Sequence, residues 1–198
     1  MTSFLFGVFF FGVQAPNTTY WAADPAKTGY GFGLGALSLA LMALPGAVGS
    51  VLGSTLTARI AGRTGYRPAV MGAFAVITLS FGSFALLHDT WWHMSLTYAF
   101  LGFAVGLALS AMPTVIVEAS DVSRSGIATA VYNNVKTLGG AVAGGVFATV
   151  LGSLLTEDGA APSESAYVTL WLVAGACALV AAGAVALARR DETVSHQE

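Results

Sequence analysis

The chain has 198 residues, 56% of them hydrophobic and only 9% charged, against about 25% charged in an average soluble domain, so a water-soluble globule of this size could not hide its apolar surface. A net charge of −2, with no clustered Lys and Arg, excludes an electrostatic nucleic-acid binder. The lone cysteine, Cys177, excludes a disulfide framework and reads as a small buried thiol.

Six mostly apolar stretches, uncharged except for Lys136 in the fifth, cover residues 4–22, 30–57, 68–87, 94–117, 126–155 and 167–188. Each is long enough to cross a hydrocarbon core of roughly 30 Å as a helix. The expected fold class is therefore an all-α membrane protein: a six-helix transmembrane bundle over residues 1–190 and a cytoplasmic polar tail over 191–198.

Met1, Thr2 and Ser3 supply no basic n-region, and no small-residue cleavage site follows, so this start does not read as a removable signal peptide. A polytopic chain normally begins with a basic segment, and this beginning reads as the middle of a longer protein, its C-terminal half. In the first span Gln14 and Asn17 stand one helical turn apart and share a face.

The alternating Gly29, Gly31, Gly33 and Gly35 lack the strand and the acidic ribose partner of a nucleotide-binding loop. Glycines also recur at spacing four, as Gly31 with Gly35, Gly49 with Gly53, Gly102 with Gly106 and Gly140 with Gly144. Such pairs are expected on one helix face, where in lipid they let backbones approach closely. Pro45, followed by Gly46, and Pro113 fall inside spans and are read as helix kinks, either structural or lining a cavity.

Glu118 and Asp121 read as solvated loop groups at the membrane boundary. The fifth span gathers Tyr132, Asn133, Asn134 and Lys136, with Tyr132 and Lys136 stacked at spacing four. A charge at the bilayer centre costs roughly 2.5–3.5 kcal/mol, so Lys136 either faces protein or water or snorkels along its own stem.

Lys and Arg mark the cytoplasmic connections of a polytopic chain. Arg59, Arg63 and Arg67, then Arg124, then Arg189 and Arg190 fall on alternate connections, whereas the other set holds only Lys27, with Asp24, Asp89, Glu157, Asp158 and Glu164. Both termini are thus expected in the cytoplasm, and the protein in the plasma membrane. Trp21, Trp91, Trp92 and Trp171, with Tyr20, Tyr30 and Tyr167, fall at the opposite ends of the spans, as an interfacial aromatic belt would.

No catalytic set emerges. His88, His93 and His196 fall in loops or the tail, so no base stands at membrane depth, and Ser123 or Ser125 beside Arg124 has no oriented partner. His88 and His93 could hold a metal, but with Asp89 and two tryptophans they read more simply as an interfacial cap. No enzyme activity, cofactor or metal is expected.

The connection from Ala58 to Pro68 resembles the short basic loop between the second and third helices of each half of the major facilitator superfamily. Residues 126–141, with their small-residue run, Asn133, Asn134, Lys136 and the Gly139-Gly140 pair, resemble the eleventh helix of its multidrug proton-antiporter branch. The likeness covers essentially the whole chain, as the C-terminal six of twelve helices. One departure is that Gly62 stands ahead of Arg63 where the loop motif usually carries an aspartate, so no inter-helix charge lock is expected there; Gly65 and Arg67 match, while Tyr66 replaces a common basic residue.

The resemblance implies alternating access by half of a transporter built as a 3+3 inverted repeat, with first and fourth helices lining the cavity and second and fifth contacting the opposite half. On that carry-over Gln14, Asn17 and Tyr98 would face substrate, Tyr132, Asn133, Asn134 and Lys136 would border the cavity or the partner bundle, and Arg59, Arg63, Gly65 and Arg67 would form a cytoplasmic gating loop. The third and sixth helices, with Cys177, would be lipid-facing supports. The expected function is transport of small molecules, as efflux of drug-like or amphipathic compounds coupled to protons. The partners implied are the lipid bilayer, the substrate, and an N-terminal six-helix half or a second copy. The alternative is a non-transporting membrane scaffold or inactive remnant.

Overall fold

The computed structural model describes residues 1–12, 14–118, 124–156, 159 and 161–194. Asp121, Ser123, Glu157, Asp158 and His196, together with the side chains of Gln14, Arg189 and Arg190, lie outside what it describes. The described residues form helices α1 (Thr2–Gly12), α2 (Gln14–Ala22), α3 (Pro25–Thr28), α4 (Ala36–Thr64), α5 (Tyr66–Leu86), α6 (Trp91–Glu118), α7 (Ser125–Ser153) and α8 (Glu164–Val194). Of these, α4 to α8 are long and apolar enough to cross a membrane, and a helix meets its backbone hydrogen-bonding needs without water.

The first expected span is carried by α1 and α2 in succession, and neither alone has the roughly 17 residues a crossing needs. Only together do they match the stretch read from hydropathy.

The second span begins at Ala36 rather than at residue 30. Gly29, Gly31 and Gly33 hold φ of 78°, 87° and 62°, left-handed values that glycine adopts without steric cost and that no α-helix contains. Gly31 and Gly35 therefore lie in this loop, not on a helix face as their spacing implied.

The basic connection is shorter than expected. α4 runs on to Thr64 and α5 starts at Tyr66, leaving Gly65 as the whole turn, with φ 88° and ψ 156°. Arginines mark where a helix leaves lipid, but they are good helix formers and do not end it. Similarly α8 continues through residues 191–194 of the expected tail, and 195–198 lie outside the described residues.

The most extensive packing pairs α4 with α6, α1 with α7 and α5 with α8, followed by α5 with α6 and α1 with α8. Exchanging α1, α4 and α5 for α6, α7 and α8 maps this set onto itself, as two three-helix repeats of inverted topology require. Phe6, Phe9, Phe74, Ile77, Phe81, Phe84, Met94 and Trp171 fill the centre. Half of the most apolar stretch of α5 is buried, against 22% of α4 and 17% of α7. α5 is thus the most enclosed helix, with Leu79 and Leu86 outward, and α4 and α7 present the least covered faces.

The α4–α6 crossing explains two of the glycine pairs. A methyl on Gly49 would collide with the Ala99 carbonyl, one on Gly53 with the Phe103 carbonyl, one on Gly102 with the Gly46 carbonyl and one on Gly106 with the Ser50 carbonyl. The helices meet backbone to backbone. Gly140 is buried, but Gly144 has nothing near it; on α7 it is Gly139 that abuts Phe4, while Gly7 abuts the Lys136 carbonyl.

Candidate functional site

Close contact between α4 and α6 leaves a cavity of about 330 Å³ bounded by α1, α4, α5 and α6. Phe9 and Phe10 wall it from α1, Ala43, Gly46, Ala47 and Ser50 from α4, Phe81 from α5, and Tyr98, Leu101, Gly102, Val105 and Leu109 from α6. Gly46 and Gly102 contribute because they lack side chains at the crossing, and the lining side chains are apolar apart from those of Ser50 and Tyr98. Such a lining suits a ligand with a large apolar body and few polar groups. Pro45 and Pro113 lie inside α4 and α6, which continue through them, and Pro45 precedes Gly46 on the cavity wall.

Tyr98 packs edge-on against Trp21, with ring centroids 5.2 Å apart. Trp21 is 1% exposed and its indole N–H has no protein partner among the described residues.

Of the other expected site residues, Asn17 and the α7 group do not line this cavity. Asn17 is fully enclosed in the bundle, where its Oδ1 accepts a 2.7 Å hydrogen bond from Trp171 Nε1 while its Nδ2 finds no acceptor among the described residues. Gln14 starts α2. On α7, Tyr132 is buried with its hydroxyl unpartnered among the described residues, Lys136 Nζ lies 5.0 Å from the Tyr132 ring centroid, and Asn133 and Asn134 are exposed. None of this α7 group forms part of the cavity wall. Arg59 and Arg63 are exposed beside Gly65, and Arg67 is half-buried. Phe9, Phe10, Ser50 and Phe81 were not marked by the sequence, because a cavity wall of ordinary apolar residues carries no motif.

At the bundle end away from the arginines, the aromatic residues divide. Trp91 and Trp92 are exposed, as a belt requires, but Tyr20, Trp21, Tyr30, Tyr167 and Trp171 turn inward. Tyr20 contacts Tyr30, Tyr167 and Trp171 at centroid distances of 5.3, 5.3 and 5.2 Å, and the Tyr30 hydroxyl donates to the Pro162 carbonyl. The histidines are also separated: His93 stacks on Trp92, whereas His88 reaches Glu164 at 3.1 Å. The exposed Lys27–Asp24 pair, at 3.8 Å, contributes little.

The sequence pattern of the Major Facilitator Superfamily matches residues 1–144. Among solved structures the chain is similar to the nucleoside transporter NupG, with a TM-score of 0.76 and 14% identity over 94% of this chain and 46% of that one. It is also similar to the xylose transporter XylE from E. coli in its inward-open conformation, with a TM-score of 0.73 and 14% identity over 94% and 46%. At that identity the likeness is one of fold, and the chain spans just under half the length of either structure. No curated protein matches it.

Proposed function

The chain belongs to the Major Facilitator Superfamily, whose members are transporters and not enzymes, and on that premise we propose that it is one six-helix half of an alternating-access permease for small amphipathic molecules. A second six-helix unit, either an N-terminal half or another copy, closes the pathway, docking along the sparsely covered faces of α4 and α7. The arginine-bearing end lies in the cytoplasm on this reading, which the Lys and Arg asymmetry supports.

The single observation that carries this reading is the cavity, lined mostly by apolar side chains and set between the pseudo-symmetric α1 and α6. Efflux of drug-like compounds coupled to protons is the finer form of the proposal. It is supported by the resemblance of residues 126–141 to the multidrug-antiporter helix.

The test is transport in inside-out vesicles holding this chain together with a matching six-helix half. A lipophilic fluorescent cation accumulates when the lumen is acidified, and Tyr98→Ala, which removes the main side chain of the α6 wall, lowers that rate at least several-fold. An assembled pair that moves no dye, with or without the gradient, overturns the proposal.

A further inference from the structure

We propose that His88, Asp89 and Glu164 form a binding site for a divalent cation of the zinc class, at the end of the bundle away from the arginines. His88 Nδ1 lies 3.0 Å from the Phe84 carbonyl. A carbonyl only accepts, so Nδ1 is the donor in this contact, and Nε2 is turned toward the carboxylate of Glu164. Nε2 lies 3.1 Å from Glu164 Oε1, a contact satisfied either by a proton on Nε2 or by a cation held between the two atoms.

Asp89 decides between a proton and a metal. Its carboxylate, the His88 nitrogen and the Glu164 carboxylate all offer ligand atoms within 4.8 Å of one another. A proton joins His88 to Glu164 and leaves Asp89 unused, whereas a doubly charged ion balances both carboxylates. With metal–ligand bonds of about 2.0–2.2 Å, neighbouring donors in a tetrahedral shell stand roughly 3.4 Å apart. The His88–Glu164 pair is already near that spacing, and exposed Asp89, in the turn after α5, offers a carboxylate oxygen within 4.8 Å of both.

One imidazole and two carboxylates suit zinc, leaving a position for water. The supporting contacts are those that orient metal-binding groups. The second ring nitrogen of His88 is tied to a backbone carbonyl, its ring packs 5.6 Å from Trp171 and 5.9 Å from Tyr20, and Glu164 Oε1 accepts from the Tyr20 hydroxyl at 3.3 Å. A bound ion would join the end of α5 to the start of α8. The site is independent of the transport reading, since it lies apart from the cavity wall.

The experiment titrates ZnCl2 into the full chain in detergent after chelator treatment, reading bound metal by equilibrium dialysis. The expected result is one Zn2+ per chain, bound at least tenfold more weakly by Asp89→Asn and Glu164→Gln and unchanged by His93→Gln. Asp89→Asn leaves the His88–Glu164 contact in place, so it reads ligation rather than folding. Absence of stoichiometric binding by the unsubstituted chain, as a proton-linked pair alone would give, or equal binding by Asp89→Asn and Glu164→Gln, overturns the proposal.

Discussion

The Trp171 indole N–H donates a 2.7 Å hydrogen bond to the Asn17 side-chain oxygen, tying α8 to α2 with both residues fully enclosed. Hydrogen bonds between membrane helices contribute about 0.6 kcal/mol on average and up to about 1.7, and an enclosed one belongs at the upper end. A double-mutant cycle of Asn17→Leu and Trp171→Phe, followed by unfolding in mixed micelles, is expected to give a coupling of about 1–1.7 kcal/mol. A coupling near zero would show that the bond adds nothing beyond packing.

Glycine substitutions separate the α4–α6 crossing from the rest of the bundle. Gly102→Ala drives a methyl into the Gly46 carbonyl, where backbone must move, whereas Gly72 has nothing within 4 Å. Overpacking costs about 1–3 kcal/mol, so Gly102→Ala is expected to lose that much stability and Gly72→Ala to lose none. Thermal unfolding of the two purified variants side by side checks the contrast.

Gly65 joins α4 to α5 with φ 88° and ψ 156°, a region essentially reserved for glycine. Gly65→Ala is expected to cost about 1–3 kcal/mol, and Gly62→Ala, in open helix three residues earlier, to be neutral or slightly stabilising. Equal melting temperatures for the two variants would mean that the turn relaxes without strain.

Tyr98 stands on the cavity wall while Leu79 is 72% exposed on the outer side of α5. In the proposed assembly of this chain with a second six-helix half, Tyr98→Ala is expected to lower kcat/KM several-fold and Leu79→Ala to leave it unchanged. The measurement is initial uptake rate against substrate concentration in vesicles.

The helical architecture was legible because lipid imposes one rule on every crossing segment, and the charges between segments made their borders plain. The borders so read were those of the apolar stretches, not of the helices. Arg59 and Arg63 stand inside α4, before its end at Thr64, and Gly29, Gly31 and Gly33 unwind a stretch that hydropathy counted as helix. Gly49, Gly53, Gly102 and Gly106 announced a close crossing without naming which helices cross.

The site was less legible. Tyr98 was placed on the cavity by family resemblance, but Asn17 turns toward Trp171, a partner 154 residues away that no local spacing reveals. A separation of 76 residues likewise hid Glu164 from His88. Polarity inside a span marks a residue that needs a partner, and only the packing decides whether that partner is protein or ligand.

The account depends on α1 and α2 together crossing the membrane once, so that residue 3 and the α4–α5 turn share one side and the α5–α6 turn lies on the other. With Cys177→Ser as background, single Ser3→Cys, Gly62→Cys and Asp89→Cys variants are treated with a membrane-impermeant maleimide in whole cells and again after permeabilisation. The expected result is labelling of position 89 in intact cells, with positions 3 and 62 labelled only after permeabilisation. Position 3 reacting together with position 89 in intact cells would contradict it.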